Sequence, residues 1–393
     1  MGDIQRLYLI SALASLLGGA SYSILAPYLR LLGFSPIEYG FLGALLLFTS
    51  LLFTAIAGWA SDRVGAKEVM TASLFLQSFS TLLLAFGSTP SVIFSFLLSG
   101  VSGGLAAVAG VVLATRVSGG EQLERALPFL SAASTIGGGI GHFGGWVPVL
   151  LSSLYSVSLL ECYRLQFLAI ALLLPLLTLP FLLGLKEIRG PQRAEGGSPA
   201  RVPWGVLARL VLINAIISLG AGMSIHIIDY YFVLKFNVQS GELGTVLGIQ
   251  NLLMGLLMLL TPKVSVAVGG PLRAYLLIAS PSILFIVAMT LTSNYAISSS
   301  IYIVRTILMN VANPLYHAFE MSLIPSEYRG RGASLISIAW QLPAGVGRII
   351  GGALMTYNVE APLLATAALY ALSFSLMFLF FPSYVLRRNS RPP

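Results

Sequence analysis

Two groups of side chains in this chain could do chemistry, and both stand in stretches with almost no other charge. His226 and Asp229 lie three residues apart, so a helix puts them on one face. Arg305, Met309, Asn313, Tyr316 and Glu320 follow one another at spacings of four, four, three and four. That pattern predicts a continuous polar stripe along a second helix. A carboxyl group in apolar surroundings can take up and release a proton, and a nearby arginine favours its charged form. Asp229 is therefore the candidate proton carrier, and Arg305 the candidate group that binds a solute or modulates Asp229. A static ion pair between the two helices is the alternative. His226, Asn313 and Tyr316 complete the polar set, while Glu320 and His317, near the end of the stripe, suit a structural role.

The elements that must position these groups follow from composition. Apolar residues make up 56% of the 393, and charged residues only 9%. A soluble globular chain carries about 25% charged residues, so this surface must face lipid. A helix crossing the bilayer needs about 20 mostly apolar residues. Twelve stretches qualify, near 4–32, 36–60, 67–87, 90–114, 125–151, 165–185, 204–236, 241–260, 272–291, 294–324, 332–357 and 362–385. The expected architecture is an all-α integral membrane protein, with an N-terminal six-helix bundle at 1–186 and a C-terminal one at 204–393. Residues 187–203, rich in Gly, Pro and charge, read as a cytoplasmic linker. Arg305 falls about 15 Å along its span, near the bilayer centre.

Orientation follows from the basic residues. With both termini cytoplasmic, seventeen of the 22 lysines and arginines lie on the inner side. Only Arg30, Arg164 and Lys235 lie on the outer side, and Arg305 and Arg348 fall within spans. The net charge of +8 is thus mainly a topology signal toward anionic lipid. It carries no basic stripe with interleaved aromatics of the kind that binds nucleic acid. One cysteine, Cys162, excludes an internal disulfide and a cysteine metal cluster. The expected location is the plasma membrane, with multiple passes.

The first half offers space rather than charge. Ser11, Ser15, Gly18 and Tyr22 share the first span, and Ser95, Ser99, Gly103 and Ala107 the fourth. The halves also echo each other. A shift of 206 pairs Arg125 with Arg331, Gly139 with Gly345, Gly141 with Gly347 and Gly145 with Gly351, and a shift of 204 pairs Glu38 with Glu242 and Gly40 with Gly244. Repeated halves are how many transporters are built.

Between the second and third spans runs Gly58-Trp59-Ala60-Ser61-Asp62-Arg63-Val64-Gly65-Ala66-Lys67. It resembles the signature loop of major facilitator superfamily transporters, G-x-x-x-D-R-x-G-x-K/R. In the second half the corresponding stretch, 262–271, keeps the valine and glycine but has Val266 and Ala267 for the aspartate and arginine. Gly33-Phe34-Ser35-Pro36-Ile37-Glu38-Tyr39-Gly40 is similar to the start of the family's second helix. The resemblance implies a rocker-switch secondary transporter with a substrate cavity between its halves, lined by the first, fourth, seventh and tenth helices. It also implies that Asp62 acts as a conformational latch, supported by Gly58, Arg63, Gly65 and Lys67. Topology signalling is the plainer role for that loop. His142 and Arg348, equivalent by the repeat, are gate candidates, although an arginine can equally satisfy carbonyls of a glycine-rich helix. The sequence departs from the family twice. Ser99 stands where an arginine is often found, and Gly141-His142 replaces the glycine–proline pair of many exporters.

The expected function is proton-coupled movement of a small organic solute. Partners are that solute, a proton or other coupling ion, and membrane lipids, with no nucleic acid and with the chain as a monomer. Neither a cofactor nor a metal is expected. Arg305 favours an anionic solute, and aromatics such as Tyr22, Tyr230, Tyr231, Tyr316 and Trp340 an amphipathic one. A drug or metabolite efflux antiporter, or a sensor or lipid scramblase of the same fold, are the alternatives. A membrane enzyme is disfavoured because His142, His226 and His317 lie on three different spans, with no paired aspartates to bind a metal. There is also no phosphate-cradling loop, so energy must come from a gradient.

Overall fold

The computed structural model describes residues 2–118, 123–186, 204–257, 268–325 and 328–386. Among these, every regular element is helical. The helices are α1 Asp3–Leu31, α2 Pro36–Arg63, α3 Ala66–Phe86, α4 Thr89–Ser118, α5 Leu123–His142, α6 Trp146–Tyr155, α7 Leu159–Leu183, α8 Trp204–Met223, α9 Ile228–Phe236 and α10 Ser240–Leu257. They continue as α11 Pro271–Ala279, α12 Ser282–Thr290, α13 Tyr295–Val311, α14 Asn313–Leu323, α15 Arg329–Tyr357, α16 Ala361–Phe380 and the short α17 Pro382–Leu386. In lipid only internally hydrogen-bonded backbones can span, which is why a chain this apolar folds this way.

Ten stretches among the described residues are long and apolar enough to cross a membrane. The expected fifth and eighth spans are not among them. The fifth comprises α5 and α6 with a 3-10 turn at Phe143–Gly145 between them, although the same kind of turn lies within the seventh, which does qualify. The eighth is seen as the 18 residues of α10, and its expected end, 258–260, lies outside the described residues. So do the expected linker 187–203 and most of the second copy of the signature loop.

The chain divides into two compact units. The first comprises Met1–Ser35, Leu42–Arg193 and Asn237–Leu252, and the second Pro36–Phe41, Ala194–Phe236 and Leu253–Pro393. In the first unit α1 packs on α5 and α7, and α3 on α4 and α7. Ile10, Leu17, Leu74, Ile170, Leu174 and Leu182 form a core there. In the second unit α8 packs on α15 and α16, and α12 on α13 and α16. Large apolar side chains such as Leu154, Leu291 and Leu379 are exposed, as a lipid-facing surface requires.

The repeat seen in the sequence returns as equivalent contacts. A Cβ on Gly141 of α5 would overlap the Leu16 carbonyl of α1, and one on Gly347 of α15 would overlap the Leu219 carbonyl of α8. Small residues let helix backbones meet this closely. Gly40 and Gly244 make a second such pair, against the carbonyls of Arg348 and His142 respectively.

Candidate functional site

Two of the polar spans are interrupted where their chemistry is concentrated. The tenth expected span ends its first segment at Val311 and restarts at Asn313. Pro314 explains the break, because it has no N–H to donate to the carbonyl four residues back. The polar stripe predicted as continuous is therefore carried on two helices, α13 and α14. The seventh span breaks at Ser224, with φ −132° and ψ −47°, and a 3-10 turn at Ile225–Ile227 leads into α9. His226 lies in that turn and Asp229 in the first turn of α9. The single helical face expected for the pair is thus corrected to a turn and a helix start. The N-terminus of a helix carries partial positive charge, which suits a carboxylate there.

Asp229 is fully buried. It accepts a hydrogen bond from the Tyr39 hydroxyl and one from the Tyr230 N–H at 2.9 Å. Tyr39 and Tyr230 stack with centroids 4.5 Å apart. Arg305, also buried, donates from Nη2 to the Tyr370 hydroxyl at 3.0 Å and lies over that ring. Its Nε has no hydrogen-bond partner among the described residues.

A cavity of about 470 Å³ opens inside the second unit. Four members of the polar stripe line it: Met309, Asn313, Tyr316 and Glu320. Arg305 is not in its lining. Asn214 of α8, Tyr275 of α11 and Trp340 of α15 add to the wall. Glu320 is fully buried. Its Oε1 accepts from Asn214 Nδ2 at 2.5 Å, and its Oε2 lies 2.9 Å from His317 Nδ1. Desolvating a carboxylate costs several kcal/mol, and these two contacts offset part of that. Tyr316 stacks on Tyr275 with centroids 4.8 Å apart. Volume and lining match small-molecule sites, which are mostly apolar with a few placed polar groups. The sequence reading placed Glu320 and His317 in a structural role and passed over Asn214 and Tyr275. Asn214 had a signal, as the one polar residue in the apolar run Leu210–Ile217.

The family model described as Major Facilitator Superfamily matches residues 7–348. The chain belongs to this superfamily. Solved structures agree on the fold. A bacterial homolog of the human lysosomal transporter Spinster aligns with a TM-score of 0.76 at 16% identity, over 100% of this chain and 98% of that one. The nucleoside transporter NupG aligns with a TM-score of 0.72 at 17% identity, over 97% and 100%. The xylose transporter XylE from E. coli aligns with a TM-score of 0.73 at 14% identity, over 96% of each. A search of curated proteins finds no match. Fold and family together make this a multi-pass membrane protein of the secondary-transporter class.

The superfamily's signature loop sits in the first unit. Gly65 has φ +124°, a conformation only glycine adopts readily, and it caps α3. Lys67 Nζ donates to the carbonyls of Leu183 and Leu185, at 2.9 and 3.0 Å. It thereby satisfies the end of α7, where a cation also complements the helix dipole. Asp62 lies 3.9 Å from Arg116 at the end of α4, with most of its side chain exposed. Arg63 rests over the Trp59 ring at 4.7 Å. Gly58 has open space where a Cβ would go, so packing does not require glycine there. Ser99 is bound to Ser80 at 2.7 Å and to Gln77 at 3.4 Å, which places it in helix packing. Tyr22 meets the His142 ring edge-on at 5.9 Å. His142 Nδ1 and His226 Nδ1 have no hydrogen-bond partner among the described residues. Arg348 is half-buried, and its carbonyl lies against Gly40.

Proposed function

We propose that this chain carries a small organic solute across the cytoplasmic membrane by rocker-switch alternating access, coupled to protons, with both termini cytoplasmic. The observation that supports this best is the cavity built on the broken tenth span, where Asn313, Tyr316 and Glu320 converge with Asn214 and Tyr275. Broken helices with polar linings suit substrate sites, because freed backbone groups and polar side chains are tolerated only where they border a cavity. Asp229, buried at the start of α9, is the proton-bearing group in this reading. Arg305, held by Tyr370, keeps α13 against α16.

The test needs no knowledge of the solute. Cys162 is buried and free, so Cys162→Ser leaves a background for one reporter, Ser337→Cys, in the cavity wall. A membrane-impermeant maleimide should label it in both right-side-out and inverted vesicles. Labelling from one side alone, at every pH gradient applied, overturns alternating access through this cavity.

A further inference from the structure

The charge of the second-unit cavity restricts what it can hold. Among the described residues its lining contains one carboxylate, Glu320, and neither lysine nor arginine. The Glu320 contacts are a neutral amide, Asn214, and the Nδ1 of His317. If His317 is neutral, the cluster carries one negative charge. If His317 is protonated, the cluster is neutral. It is positive in neither state. Arg305, the group that would attract an anion, lies outside the lining with its guanidinium on Tyr370.

Three aromatic residues line the same cavity, Trp340 and the pair Tyr275 and Tyr316, which stack on each other and leave one face apiece. Aromatic faces attract cations, most strongly when the cation is desolvated. A solute entering this cavity leaves water behind. A cation recovers its lost hydration from Glu320 and the ring faces, whereas an anion would be repelled by the one and gain nothing from the other. A neutral polyol would leave Glu320 uncompensated. Asn313 and Gln341 each donate one amide N–H to Asn310 Oδ1 and Ser337 Oγ, which leaves each one N–H and a carbonyl oxygen for polar groups on the solute.

We infer that the solute is an organic cation carrying an apolar or aromatic body, with Glu320 as its counter-charge and Tyr275, Tyr316 and Trp340 as its cage. This rests on the reading of the cavity as the solute site, and it replaces the anionic preference suggested by Arg305 in the sequence.

The test uses purified full-length protein and three probes of similar size: benzyltrimethylammonium, benzoate and benzyl alcohol. A ligand that binds only the folded state raises thermal stability by mass action. The cation should raise the melting temperature in a saturable way, and the other two should leave it unchanged at equal concentration. Glu320→Gln should weaken the cation's apparent affinity at least tenfold, and Trp340→Leu severalfold. Should Glu320→Gln fail to fold, the wild-type comparison and Trp340→Leu still decide. Equal protection by benzoate or benzyl alcohol, no protection by the cation, or undiminished cation affinity in both variants each overturns the inference. Those results leave the Ser337→Cys labelling intact. Failure of that labelling instead removes the solute-site reading itself.

Discussion

The two units each hold a cavity, and the cavities differ in kind. The one in the first unit, about 550 Å³, is lined by leucine, alanine, serine and threonine side chains of α1, α3, α4 and α5, without a titratable group. The one in the second unit is slightly smaller and gathers a buried carboxylate, three aromatic rings and several amides. The helices differ in step with their linings. In the first unit α1 and α4 run unbroken for 29 and 30 residues. In the second, the corresponding spans break at Ser224 and Ala312. Similar frames, joined by equivalent glycine contacts, thus carry different chemistry. The polar work is concentrated where the backbone itself is interrupted.

The shared frame gives the largest expected effect. Gly141→Val in the first unit and Gly347→Val in the second force side chains into the carbonyls of Leu16 and Leu219. Overpacking of this kind costs about 1–3 kcal/mol or more. Both variants should lose monodisperse behaviour on size exclusion in detergent. Survival of one and not the other would show that the frames are not equivalent.

The next effect is confined to the second unit. Asp229→Asn should abolish the response of Ser337→Cys labelling to an imposed pH gradient while leaving basal labelling in place. An unchanged response would place proton coupling elsewhere. A stability contrast follows. Asn214→Leu removes the donor to buried Glu320, and an unsatisfied buried group costs about 1–3 kcal/mol. Ser99→Ala removes the hydroxyl contacts to Ser80 and Gln77 in the first unit, each worth about 0.6 kcal/mol on average between membrane helices. Thermal unfolding should rank the two in that order, and equal losses would show that polar contacts in the two units carry similar weight. Smallest of all, Gly58→Ala should change stability by less than about 0.5 kcal/mol, although the glycine stands in the signature loop. A drop in labelling kinetics without loss of stability would restore a mechanical role to that position.

Much of this was legible in the sequence because lipid leaves few options. The apolar runs gave ten spans that the described residues bear out, and the glycine offsets gave the paired helix contacts. Gly65 and Lys67 stood out as a motif, and the structure supplies a positive φ and a helix-end contact for them. The helix breaks were harder to see. Pro314 was visible, yet prolines at 27, 128 and 343 lie inside helices that continue. Neighbouring helices decide which proline interrupts, and spacing along one helix carries no such information. Depth along the stripe likewise favoured Arg305 as the solute-binding group and gave Glu320 a structural role. Only the positions of Tyr370 and Asn214, 65 and 106 residues away in sequence, separate a guanidinium turned out of the cavity from a carboxylate at its wall.

The break at Ser224 leaves α9 as a stub of nine residues, about 13 Å long at 1.5 Å per residue. Asp229 anchors its near end to Tyr39. At its far end Lys235 pairs with Glu360 at 2.5 Å and meets the Tyr231 hydroxyl at 3.0 Å. So short a rod is fastened near each tip by a separate acid, and Tyr230, Tyr231, Phe232 and Val233 between them are buried. A change at either acid therefore acts on a segment whose position is also set by the side chains packed along it.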